Sequence, residues 1–169
     1  CMSTSTQRTR WRSMKRKSLR CGVPRVVVLI GAKHTDGMAH IQYLTQIHLD
    51  PGVVQLLQGE CARIGLRKPL VVTDAGVRAA GVLDQALAAL VETPHAVFDG
   101  TPSNPTEAAV RAAARVFDAE HCDGLVAVGG GSSIDLAKGL AIAATHEGAL
   151  KTYATIEGGS AQISERVLP

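Results

Sequence analysis

Aromatic residues make up only 3% of this 169-residue chain, so Ala, Val, Leu and Ile must fill its interior, which favours helices packed on a parallel sheet. Long apolar runs are missing too. The longest, residues 26–32, falls far short of the roughly 18 residues that span a bilayer, so the body of the chain is expected to be soluble. Cysteine is sparse: Cys1, Cys21, Cys61 and Cys122 show no CxxC spacing. That excludes a dense disulfide scaffold and points to a reducing cytoplasm as the location. No repeat of fixed period is present.

Acidic residues are absent from the first 35 positions. Residues 1–37 carry nine Lys/Arg against Asp36 alone, and residues 38–169 carry nine Lys/Arg against fourteen Asp/Glu. The overall charge of +3 therefore averages a basic leader and a mildly acidic body, and the body offers no nucleic-acid surface. Three readings compete for the leader. It is upstream sequence translated ahead of Met38, which a first residue of Cys favours, or a targeting peptide, or a nucleic-acid tail built on Lys15-Arg16-Lys17. The first is preferred, with residues 1–37 disordered or not native and residues 38–169 forming one domain.

From Met38 the pattern is regular. Residues 40–49 alternate, with Ile41, Tyr43, Ile47 and Leu49 on one face and His40, Gln42, Gln46 and His48 on the other, as in an edge strand or hairpin. The two histidines are better explained as a solvated strand face than as metal ligands. Helices are then expected over 51–64, 76–91, 105–119 and 133–144, with strands over 69–73, 95–98 and 124–128. This alternation implies right-handed crossovers and an α/β, Rossmann-like parallel sheet covered by helices on both faces. Leu70-Val71-Val72 and Leu125-Val126-Ala127-Val128 are uniformly apolar, as burial on two sides requires.

The strongest chemical signal is the last of these strands running into Gly129-Gly130-Gly131 and then a helix. Three glycines let the backbone approach a ligand closely, and a helix N-terminus offers free N–H groups to a pyrophosphate. The turn lacks the Gly-Lys-Ser/Thr ending of a P-loop, and no third glycine completes G-x-G-x-x-G. Ser132 and Asp135 also match a capping box, and Lys138 stands where it would pair with Asp135. Asp74 closes the 69–73 strand, where a carboxylate accepts ribose hydroxyls and repels a 2′-phosphate, so NAD is preferred over NADP. The purely structural alternative for Asp74 is a helix N-cap. The turn Asp99-Gly100-Thr101-Pro102-Ser103-Asn104-Pro105-Thr106 ends a third strand, and Asn104 or Thr106 is placed to cap the next helix. All three strand ends face the carboxyl edge of one sheet, where open α/β sheets bind ligands.

Across 38–169 the chain resembles the iron-containing, or group III, alcohol dehydrogenases. The matching segments are Ile41-Gln42-Tyr43-Leu44, Pro69-Leu70-Val71-Val72-Thr73-Asp74, Asn104-Pro105-Thr106, Cys122-Asp123-Gly124 and the run Gly129-Gly130-Gly131-Ser132-Ser133-Ile134-Asp135-Leu136-Ala137-Lys138. The resemblance implies a Rossmann-like dinucleotide-binding domain in which Gly130, Gly131 and Ser132 contact the pyrophosphate, with Gly129 counted among the cofactor-binding residues. It places Asp74 on the adenosine ribose, Asn104 beside the adenosine end and Asp135 near the nicotinamide. The family's second, all-helical domain, whose one Asp and three His hold iron or zinc, has no counterpart here. His121, Cys122 and Asp123 are read as a helix end beside a buried strand and not as a substitute ligand set.

The resulting expectation is the N-terminal NAD-binding part of a metal-dependent alcohol dehydrogenase, truncated at its C-terminal end. The full-length relative would transfer hydride between a small alcohol or aldehyde and NAD, while this chain alone would bind NAD weakly, hold no catalytic residue and no metal, and catalyse nothing. A homo-oligomer is compatible with this reading. The alternatives are a self-contained nucleotide-binding or regulatory module and, last, an RNA or DNA binder. The last is disfavoured because Trp11 alone offers a stacking surface in the leader.

Overall fold

The computed structural model describes residues 28–29, 46–154, 156, 158–163 and 168. Most of the basic leader, the segment 40–45 of the expected edge strand, and residues 164–167 lie outside the described residues. Val28–Leu29 (β1) and Ile47–His48 (β2) form a short ladder, with Val28 opposite Ile47. The pair is parallel, so β1 and β2 are not the two arms of one hairpin, which would require antiparallel neighbours.

A 3₁₀ turn, Val53–Leu56, leads into helix α1, Leu57–Ile64. Leu57 and Cys61 share its buried face one turn apart. Gly65 ends it in the left-handed conformation at φ 82, where Leu66 N–H closes on the Cys61 carbonyl at 2.9 Å. Strand β3, Pro69–Val72, is buried throughout. The helix expected over 76–91 is broken into α2, Ala75–Ala79, and α3, Val82–Ala88. Gly81 sits between them at φ 73, a left-handed position that glycine takes without a Cβ penalty and that ends the first helix.

Strand β4, Ala96–Phe98, is followed by α4, Glu107–Ala119. Thr106 caps α4 by accepting the Ala109 N–H at 3.3 Å, and Val110, Ala113 and Phe117 form its buried stripe. His121 turns the chain out of α4 at φ 58. Strand β5, Gly124–Ala127, then leads to α5, Gly131–Thr145. Gly139 lets α5 lie close on α4, since a Cβ there would stand 3.0 Å from Val110 Cγ2. Two short 3₁₀ helices, Leu150–Tyr153 and Gly159–Gln162, follow.

The three-stranded sheet is all parallel in the order β4-β3-β5. Alternation along β3 divides the core. Leu70 and Val72 join Val110, Phe117, Leu136 and Leu140 from α4 and α5 on one face, and Val71 joins Leu57, Cys61, Leu83 and Leu90 from the α1 and α3 side on the other. The expected two-layer covering is thus present around the central strand. It is incomplete at β5, where Leu125 and Val126 are only half-buried and Ala127 is exposed. The reason is its place at the edge of the described sheet, with a neighbour on one side only.

Candidate functional site

Because β3 is central, the chain leaves it to one side through β4 and returns to the other side at β5. The crevice beyond the carboxyl ends of β3 and β5 is therefore the topological switch point at which open α/β sheets bind ligands. Backbone bonds hold the strand ends together: Val128 N–H donates to the Val72 carbonyl and Thr73 N–H to the Phe98 carbonyl, each at 2.8 Å. Asp74 and Gly100 form an isolated bridge just beyond. Around these ends lies a cleft of about 360 Å³ lined by Asp74, Ala75, Gly76, Thr101, Pro102, Ser103 and Ser132.

Asp74 stands in extended conformation after β3, and its Oδ1 accepts the Val77 N–H at 2.9 Å. It is the N-cap of α2 that local chemistry allows. Capping engages Oδ1 and the Ser133 hydroxyl engages Oδ2, and each oxygen keeps a further lone pair as an acceptor. Gly76 keeps this cap open, because a Cβ there would meet Asp74 Oδ1 at 3.1 Å.

Opposite lies the glycine turn. Gly129 has φ 139, and a Cβ on it would stand 2.8 Å from Ser133 Oγ and 3.1 Å from Val77 Cγ2. Glycine is thus required both by the backbone and by the close approach of α2 and α5. Helix α5 starts at Gly131, with Gly130 at the N-cap position and no acidic residue in its first turn. The helix brings no acidic side chain of its own to its leading N–H groups, while a carboxylate from another element, Asp74, accepts the Ser133 hydroxyl beside them.

Ser132 does not cap α5 as the capping-box pattern predicts. The helix begins one residue before it, and its hydroxyl donates to the Ser103 carbonyl, tying the β4 turn to the glycine turn. Asp135 has no capping role either: it is exposed and pairs with Lys138 at 3.2 Å along the helix. Asn104 is exposed and stands outside the cleft wall, with Thr106 serving as the cap of α4. The structure thus brings Asp74 and Ser132 together on the cleft wall, sets Gly129 behind them against Val77 and Ser133, and leaves Gly130, Gly131, Asn104 and Asp135 outside the cleft lining.

Sequence reasoning missed Thr101, Ser103 and Ser133. Thr101 is 7% exposed and its hydroxyl is buried without a hydrogen-bond partner. Ser133 is fully buried and donates to Asp74 Oδ2 at 3.3 Å. Thr101 and Ser103 lie inside the 99–106 turn that ends the third strand, whereas nothing local to Ser133 announces a partner 59 residues away.

The 121–123 segment is structural. Cys122 is wholly buried and Asp123 spends its carboxylate on the Arg67 and Lys68 N–H groups. His48 faces Glu60 at 3.6 Å. Among the described residues no group of three or more His, Cys, Asp or Glu is placed to hold a metal ion, so they do not fit an iron or zinc centre.

Comparison with known proteins identifies relatives of this chain. The chain is 66% identical over 132 residues to 4-hydroxybutyrate dehydrogenase of Cupriavidus necator, covering 78% of this chain and 35% of that protein. It is 46% identical over 111 residues to 1,3-propanediol dehydrogenase of Citrobacter freundii, covering 63% and 29%. A crystal structure of 1,3-propanediol oxidoreductase superposes with a TM-score of 0.61 at 37% identity, over 78% of this chain and 30% of that one. The chain therefore spans about a third of the length of these relatives. The description "Iron-containing alcohol dehydrogenase" matches residues 45–169, the whole sheet and the cleft included, and the chain belongs to that family.

Proposed function

We propose that this chain is the N-terminal, NAD-binding part of an iron-type alcohol dehydrogenase that oxidises a small alcohol or reduces the corresponding aldehyde. The observation that carries the reading is that a strand-end carboxylate, Asp74, and Ser132, in the first turn of a fifteen-residue helix opened by the glycine turn, line one cleft at the switch point. In this reading the adenosine ribose lies on Asp74, and the pyrophosphate lies against Gly129, Gly130, Gly131 and Ser132 at the head of α5. Asn104 flanks the adenosine end and Asp135 the nicotinamide end. When bound, NAD supplies the hydride acceptor. The chain's own residues bind and orient it. Asp74 selects against a 2′-phosphate by like-charge repulsion and by offering acceptors only.

In this reading hydride transfer belongs to a longer protein and the 169-residue chain is inactive alone; among the described residues no group of three or more His, Cys, Asp or Glu is placed to hold a metal ion. Residues 38–169 act as one domain and residues 1–37 as a basic leader, of which Val28–Leu29 pairs with Ile47–His48 of the domain. A cytoplasmic location and a homo-oligomeric state complete the proposal. No helix among the described residues is long and apolar enough to cross a membrane.

The test is titration calorimetry of the purified chain with NAD⁺ and NADP⁺, followed by a dehydrogenase assay with iron or zinc added. Binding of NAD⁺ in preference to NADP⁺, lost in Asp74→Ala, with no turnover of an alcohol, is the expected result. Equal affinity for the two nucleotides, or turnover by the chain alone, contradicts it.

A further inference from the structure

Both oxygens of the Asp74 carboxylate are engaged, and by different parts of the chain. Oδ1 accepts the Val77 N–H at 2.9 Å, a local bond within the cap of α2. Oδ2 accepts the hydroxyl of Ser133 at 3.3 Å, a buried bond from α5 to the end of β3. A buried helical serine ordinarily returns its hydroxyl to a carbonyl one turn back. Ser133, fully buried in the first turn of α5, instead lends its hydrogen to a carboxylate from another element. The room for this is kept by Gly129, whose missing Cβ would lie 2.8 Å from Ser133 Oγ.

We infer that Ser133 is a positioning residue for nucleotide selection: it fixes the rotation of the Asp74 carboxylate against the head of α5, so that the acceptors left on Asp74 face the ribose hydroxyls. The inference rests on the NAD reading above. A cap alone leaves the carboxylate free to pivot about Oδ1. A second bond from the helix that carries the pyrophosphate turn removes that freedom and fixes the spacing between the two halves of the nucleotide site. Ser133 touches no ligand in this scheme. It acts through Asp74.

A double-mutant cycle on the 169-residue chain tests it, with NAD⁺ and NADP⁺ affinities measured by calorimetry for wild type, Ser133→Ala, Asp74→Ala and the double variant. Loss of one hydrogen bond to a charged acceptor predicts an about tenfold weaker NAD⁺ affinity for Ser133→Ala. The preference for NAD⁺ over NADP⁺ narrows with it, and Ser133→Ala has no further effect once Asp74 is gone. If Ser133→Ala does not fold, Ser133→Cys keeps a weak donor at the position and the same cycle is run with it. An equal loss of both nucleotides, additive effects in the double variant, or an unchanged affinity overturns the positioning role while leaving the NAD reading intact. A wild-type chain that binds no NAD⁺ overturns both.

Discussion

Asp123 and Lys68 clasp each other in both directions: Asp123 N–H donates to the Lys68 carbonyl at 3.0 Å, and Lys68 N–H donates to Asp123 Oδ1 at 2.8 Å. The carboxylate also accepts the Arg67 N–H at 3.1 Å. This clasp sits at the amino ends of β3 and β5, where Pro69 pairs with Gly124, and sets the register that carries Asp74 and Gly129 to the same height at the other end.

Asp123→Ala therefore leaves two backbone donors without their acceptor and is expected to cost about 1–3 kcal/mol of stability. Asp123→Asn, which keeps one side-chain oxygen, is expected to cost distinctly less. Urea unfolding of both variants checks the order. The Arg67 guanidinium, 3.5 Å from Asp123 and on a 90% exposed side chain, contributes little, so Arg67→Ala stays near wild type.

Gly129→Ala meets two penalties at once, a left-handed φ of 139 and a Cβ 2.8 Å from Ser133 Oγ. Together they are expected to cost about 1–3 kcal/mol and to weaken NAD⁺ binding more than the fall in stability explains, because Ser133 must move off Asp74. Gly130→Ala, whose added Cβ meets nothing within 4 Å, is the matched control for stability. Equal destabilisation by the two substitutions would contradict the steric account.

Much of the fold was legible because its causes are local. The apolar run at Leu70-Val71-Val72 encodes a doubly covered strand, and Thr106 and Gly65 encode the helix ends they in fact make. The break at Gly81 was legible in principle, since Ala80-Gly81 followed by an apolar pair is a helix stop, but the apolar period resumes in Leu83 and Ala86 and hides it. The cleft was legible only in outline. Asp74 and the 129–131 turn are marked by position at strand ends. Which residue of the 99–106 turn faces them depends on the Asp74–Gly100 bridge, and the Ser133 contact depends on β5 lying beside β3. Strand order is a non-local outcome that no local pattern in this chain encodes.

Cys61 and Cys122 are free thiols held in the core, and each is pushed from 9.0 up to about 11. Burial is the leading cause for both. Asp123 and Glu60 reinforce it at Cys61, while at Cys122 Lys68 opposes it and Glu120 and Asp123 add to it. A pKa raised by folding means that the folded state holds its protons longer. The contribution is whole below pH 9, and is lost as pH rises from 9 through about 11. Urea midpoints are therefore expected to fall between pH 8.5 and 10.5, and less so in Cys61→Ala/Cys122→Ala. With Cys1 and Cys21 changed to Ser, iodoacetamide at pH 8 should label the chain only after unfolding; prompt labelling of the folded chain would contradict thiol burial.

Thr101 supplies the sharpest contrast between stability and binding. Its hydroxyl is buried on the cleft wall and has no hydrogen-bond partner, a state that costs about 1–3 kcal/mol relative to a satisfied group. Valine has nearly the same shape and removes that cost. Thr101→Val is therefore expected to raise the stability of the unliganded chain by about 1 kcal/mol, read as a higher urea midpoint at unchanged m. If the hydroxyl is held unpaired for a ligand, the same variant must lose NAD⁺ affinity while gaining stability, the exchange that binding sites make against their own fold. A Thr101→Val chain that is less stable than wild type would mean that the hydroxyl is already satisfied within the protein, and the cleft would lose its one orphaned polar group among the described residues.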